Sequence, residues 1–173
     1  MTVSITINRL KSLTFAIVLL FSSESFGQTL LLTNEKTILS FNTTTGKEVL
    51  LAKDSSNSYL IYRFGKNGKT EFEFPQRNKS SWQNFTYSYY LRGGGVNNEG
   101  MDLNNIYFTN KGFQYVIYHT YYAGDKSEVG VKVINLKTNK KINIGGILKS
   151  RVGSLIDFRF NELLHITEYT FDE

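Results

Sequence analysis

The sequence predicts an all-β fold, an antiparallel β-sandwich or a small up-and-down barrel of about eight or nine strands. Three observations carry this. Apolar and aromatic residues alternate with polar ones at period two through most of the chain, the pattern of a strand with one buried face. Thr, Val, Ile, Tyr and Phe dominate these runs, and such side chains fit a pleated surface. Short breaks containing Gly or Asn separate the runs at hairpin spacing. With at most one short helical turn available, the strands must bury their apolar face against a second sheet or against the same sheet curled on itself.

Taken in order, residues 37–41 and 47–52 form the first strands, parted by Thr44-Thr45-Gly46. Residues 59–64 and 69–74 follow, joined by Asn67-Gly68, both of which tolerate the positive φ of a two-residue hairpin turn. Phe72 and Phe74 face one way, Glu71 and Glu73 the other. Pro75 has no N–H to donate and ends that ladder harmlessly. Phe85, Tyr87, Tyr89 and Leu91 then oppose Thr86, Ser88 and Tyr90. Residues 92–105, with Gly93-Gly94-Gly95 and Asn97-Asn98-Glu99-Gly100, are too polar and Gly-rich for a strand and read as the longest exposed loop. Strands resume at 106–109, 113–121, 128–135 and 141–148, where Val129, Val131 and Val133 oppose Gly130, Lys132 and Ile134. Residues 155–160 and 165–171 read as terminal strands around a helical turn at 161–164. No repeat of solenoid or propeller period is visible.

The first 27 residues read as an export signal rather than as part of the fold. Arg9 and Lys11 precede an apolar run from Leu13 to Phe21, too short at about 1.5 Å per residue to span a hydrocarbon core of about 30 Å. Ser25-Phe26-Gly27 then supplies small residues where a signal peptidase cuts. The remainder, 28–173, is expected to be a single β domain, periplasmic or secreted and not an integral membrane protein. The chain has no Cys, which excludes a disulfide framework, a thiolate metal site and a cysteine nucleophile. Its net charge of +5 is spread along the sequence, with Lys140-Lys141 the only adjacent basic pair. A nucleic-acid partner is therefore not expected, because such binders gather positive charge into a patch or stripe.

The strings Glu35-Lys36-Thr37-Ile38-Leu39-Ser40, Gly46-Lys47-Glu48-Val49, Tyr62-Arg63-Phe64-Gly65-Lys66 and Phe72-Glu73-Phe74-Pro75 resemble a group of small exported β-rich proteins of Gram-negative bacteria. The resemblance covers the first half of 28–173, with a weaker echo at 115–118 and 130–133. It implies export and a β fold and brings no activity. Relatives carry Cys at the positions of Phe41 and Ala52, where this chain has none.

Little in the sequence points to catalysis. His119 and His165 are the only imidazoles; neither sits in a nucleophile motif, and they are too few for a zinc site without Cys. Gly93-Gly94-Gly95 lacks the Lys-Ser/Thr and following helix of a phosphate loop, so no cofactor or metal is expected. Glu71 and Glu73, about 7 Å apart on one strand face, permit a carboxylate-dependent hydrolase of envelope polysaccharide. The preferred reading is a non-enzymatic binding or accessory module for an envelope protein or glycan, because eleven Tyr and thirteen Phe supply rigid amphipathic contact surface. Its expected contact residues are Trp82, Tyr89, Tyr90, Arg92, Asn97, Asn98 and Asp102, on and beside the long loop. A small barrel holding an apolar ligand is the third reading.

Overall fold

The computed structural model describes residues 29–94, 100–124 and 127–167. The expected export signal lies outside them, as do Asn97 and Asn98. Strands β1 (Glu35–Asn42), β2 (Glu48–Asp54), β3 (Leu60–Lys66) and β4 (Lys69–Phe74) form consecutive hairpins. A second run of hairpins comprises β5 (Thr86–Arg92), β6 (Met101–Asn110), β7 (Phe113–Tyr122), β8 (Glu128–Asn135) and β9 (Lys141–Gly145). Two short strands, β10 (Val152–Gly153) and β11 (His165–Thr167), complete the sheets in the orders β10-β1-β2-β3-β4 and β11-β5-β6-β7-β8-β9. All pairings are antiparallel except that of β11 with β5. The sheets pack face to face as a sandwich and neither closes on itself, so the barrel expectation, and with it a barrel lumen for an apolar ligand, is corrected. Among the described residues no helix is long and apolar enough to cross a membrane.

Period-two alternation sets the interior. Leu39, Phe41, Val49, Leu51, Leu60 and Tyr62 from the first sheet meet Phe85, Tyr87, Ile106, Phe108, Ile117 and Val131 from the second, all essentially inaccessible. At the centre Phe108 stacks on Phe74 at 4.4 Å and on Tyr115 at 4.9 Å between ring centroids. Tyr62 and Phe85 close around it at 5.3 and 5.4 Å. The β3–β4 turn is as expected, with Asn67 and Gly68 at φ 52° and 70°.

The outer face of the first sheet is buried as well, which alternation does not foretell. Leu30 packs on Leu50, Ala52, Tyr59 and Ile61 in a second apolar cluster, so β2 reads as buried at four consecutive positions. Beside it lies an ion pair with almost no solvent access: Arg63 donates to both Glu35 oxygens at 2.6 and 2.8 Å. Arg63 also donates to the Leu30 carbonyl at 3.1 Å and to Glu73 at 2.6 Å. The Tyr59 hydroxyl and the Leu32 N–H each donate to Glu35 at 2.9 Å. Burial pushes the Glu35 carboxyl up, but Arg63, the Leu32 N–H and Tyr59 outweigh it and hold it below its ordinary value.

Three expectations need correction. Residues 101–105 are strand, not loop, and pair along their whole length with β5 and β7. Residues 156–160 form a 3-10 turn rather than a strand, because Leu155 and Phe158, three apart, plug the gap between the sheets. Residues 161–164 hold no helical turn.

Candidate functional site

The expected contact residues separate into three environments. Trp82, expected at a surface, is a core residue and only 3% exposed. It sits in the 3-10 turn Lys79–Asn84, donates its indole N–H to the Asn57 carbonyl at 3.0 Å and meets Phe158 edge-on. A large ring with one satisfied polar atom is more stable inside than out.

Tyr89 and Asp102 belong to a polar network at one end of the interior. On β6 the inward row Phe108, Ile106 continues to Asn104 and Asp102, and Asn104 lies opposite Tyr89 on β5 and His119 on β7. The Tyr87 hydroxyl donates to Asn104 Oδ1 at 2.5 Å, and the Asn104 amide donates to Asp102 at 2.7 Å. Arg159, carried by the 3-10 turn Ile156–Phe160, pairs with Asp102, donates to Asn104 Oδ1 at 3.1 Å and lies over the Tyr89 ring at 5.3 Å. Burial, countered in part by Arg159, pushes the Tyr87 phenol up to about 12. The Arg159 and Asp102 side chains are 13% and 22% exposed, so the network seals the end of the sandwich and offers little contact area.

His119 borders this seal with its Nδ1 buried and without a hydrogen-bond partner among the described residues. Burial and the charge of Arg151 hold the imidazole below its ordinary value of 6.5, against the opposing pull of Asp102. The unfolded chain therefore binds the proton more readily than the folded one. Stability is expected to fall as pH drops below 6.5 toward the folded-state value. His119→Gln should remove that component, so that urea midpoints of the variant change less than those of the wild type between about pH 7 and pH 5.

Tyr90 and Arg92 stand on the opposite, outer face of the second sheet, as the alternation along β5 requires. Asn105 and Tyr107 of β6 and Val116, Tyr118, Thr120 and Tyr122 of β7 share it. Glu128 and Lys132 of β8 and Asn143 of β9 continue it. Tyr90 is 39% exposed. On this face a groove of about 190 Å³ is bounded by β6 through β9. Tyr118 lies down across β8, its hydroxyl donating to Asn143 Oδ1 at 3.1 Å on the next strand. It can do so because its cross-strand partner is Gly130, where a Cβ would sit 2.3 Å from the phenol oxygen.

On the first sheet, Glu71 and Glu73 line a wider groove of about 720 Å³ with Phe72, Phe74 and Asn78, but a bulge at Glu71 interrupts the pairing of β4 with β3 and breaks the expected two-residue spacing on one face. Glu71 accepts two bonds from Lys47 at 2.5 and 2.6 Å. Glu73 bridges Arg63 and Arg77 at 2.6 and 3.2 Å. Among the described residues no group of three His, Asp or Glu gathers as a metal site requires. Comparison with protein families, with curated proteins and with solved structures finds no match for this chain.

Proposed function

We propose that this protein is a non-enzymatic binding or accessory module exported to the cell envelope, where it contacts a protein or glycan through the outer face of its second sheet. One observation carries the reading: Tyr90, Tyr107, Tyr118 and Tyr122 stand together on that face over a continuous ladder from β5 to β9. Tyrosine on a strand presents a large amphipathic surface with few rotatable bonds, so contact costs little ordering. The hydrolase reading is less well supported, because Glu71 and Glu73 spend their oxygens on Lys47, Arg63 and Arg77 and a general acid needs a carboxyl free to meet the leaving group.

The test is retention of envelope material by the immobilised protein. The wild type is expected to retain a defined partner, and Tyr90→Ala with Arg92→Ala to lose most of it, since aromatic and Arg contacts dominate interface energetics at about 2 kcal/mol or more each. Turnover of envelope polysaccharide by the wild type that Glu71→Gln abolishes would instead establish the enzyme.

A further inference from the structure

The groove on the outer face narrows the class of partner. We propose that it takes one uncharged sugar ring of a glycan, an assignment that rests on the binding-module reading and names what that module recognises. Size is the first argument. Pockets for drug-sized ligands measure about 300–1,000 Å³, and liquid water takes about 30 Å³ per molecule. A space of about 190 Å³ thus matches a single small ring displacing a handful of waters.

The lining is the second argument. Asn105, Thr120 and Asn143 each both donate and accept hydrogen bonds. A set of amphoteric groups is best matched by a ligand whose polar atoms are amphoteric too, which describes a polyol ring. Glu128 can accept two such hydroxyls and Lys132 can donate to others. The two charges stand on the same strand on either side of Gly130 and offset one another, so a phosphate or carboxylate gains nothing that Glu128 does not take back. The Tyr118 and Tyr122 rings supply the apolar patch that the C–H face of a sugar requires.

Pre-organisation is the third. Tyr118 is held down by the Asn143 bond and by the missing side chain at position 130. The ring therefore loses no rotamer freedom when a ligand settles on it. An extended peptide is a poor alternative occupant. The groove lies on the face of the sheet, where the backbone groups of β7 and β8 are already paired and none remain for strand addition.

The experiment titrates the processed protein with the methyl glycosides of glucose, galactose, mannose and N-acetylglucosamine, with glucuronate as the acidic comparison, read by saturation transfer from tyrosine ring protons and by amide shifts. At least one neutral probe is expected to saturate in the millimolar range, as befits a single ring, and glucuronate to bind more weakly. Gly130→Ala drives a methyl group into the Tyr118 phenol and lifts the ring into the groove. Glu128→Gln, at an exposed position, removes an acceptor without touching the core. Each is expected to weaken binding about tenfold, whereas Glu71→Gln on the other sheet leaves it unchanged. Absence of any response to the neutral probes at tens of millimolar, preference for glucuronate, or binding that survives both groove variants overturns the assignment. An envelope protein retained through Tyr90 and Arg92 with no sugar response likewise overturns it while leaving the binding module standing.

Discussion

Arg63→Ala is expected to destabilise the protein by about 3–5 kcal/mol, the usual result of removing one partner of a buried ion pair. The Glu35 side chain has no solvent exposure, so it cannot recover by hydration what it loses from the guanidinium. Only the Tyr59 hydroxyl and the Leu32 N–H remain to it. The Leu30 carbonyl and one oxygen of Glu73 are deprived at the same time. Urea unfolding should show a lower midpoint at an unchanged slope, since the native surface does not change. Replacing both partners, as Glu35→Leu with Arg63→Met, should restore only part of the loss, because an apolar pair carries no desolvation penalty of its own but leaves the Tyr59 hydroxyl, the Leu32 N–H and the Leu30 carbonyl without these partners. A single Arg63→Ala variant within about 1 kcal/mol of the wild type would mean that water reaches this pair.

A comparable loss is expected from Phe108→Ala, about 3–5 kcal/mol. The ring touches Tyr62, Phe72, Phe74, Phe85 and Tyr115, contributed by β3, β4, the residue just before β5, and β7. Those neighbours are anchored by their own ladders and cannot collapse into the space left behind, so both the transfer term and the cavity term are paid. Since a domain is stable by about 5–15 kcal/mol in total, this one substitution removes a large fraction. Phe108→Leu should lose less, because it refills part of the void. Thermal unfolding of the three proteins in parallel checks the order.

Much of this sandwich was legible in the sequence. The inward placing of Phe72 and Phe74, or of Val129 and Val131, follows from a local alternation and survives into the structure, whereas a bulge between Phe64 and Gly65 takes Glu71 out of that alternation. Asn67-Gly68 specifies its own turn. The failures share a different cause: they depend on residues that arrive from far along the chain. Asp102 and Asn104 look like loop residues after a glycine run, yet they are inward strand positions because Arg159, 57 residues away, pairs with Asp102. The burial of Arg63 depends likewise on Glu35 and the Leu30 carbonyl, 28 and 33 residues earlier in the chain. The segment 155–160 reads at period two, but Leu155 and Phe158 answer to the gap they fill. Composition points to Tyr90 and Arg92 but not to the neighbouring groove residues such as Asn105 and Asn143. One signal was present, a glycine amid valines at 130, which in a strand interior often marks close approach of another group.

The last described stretch, 146–167, has a consequence for how the molecule is made. Leaving β9, the chain crosses to pair β10 with β1, where the Asn42 N–H meets a side chain 108 residues later in sequence, and then returns to set β11 beside β5. These are the contacts of highest sequence separation, and loop-closure entropy must be spent before they give anything back. Before those contacts form, the hairpin ladders can zip while both β1 and β5 still present raw edges to other chains. Closure of the two sheet edges therefore waits for residues 150–167. Chains that stall or are clipped ahead of residue 150 should partition into inclusions even though every hairpin they need is already present.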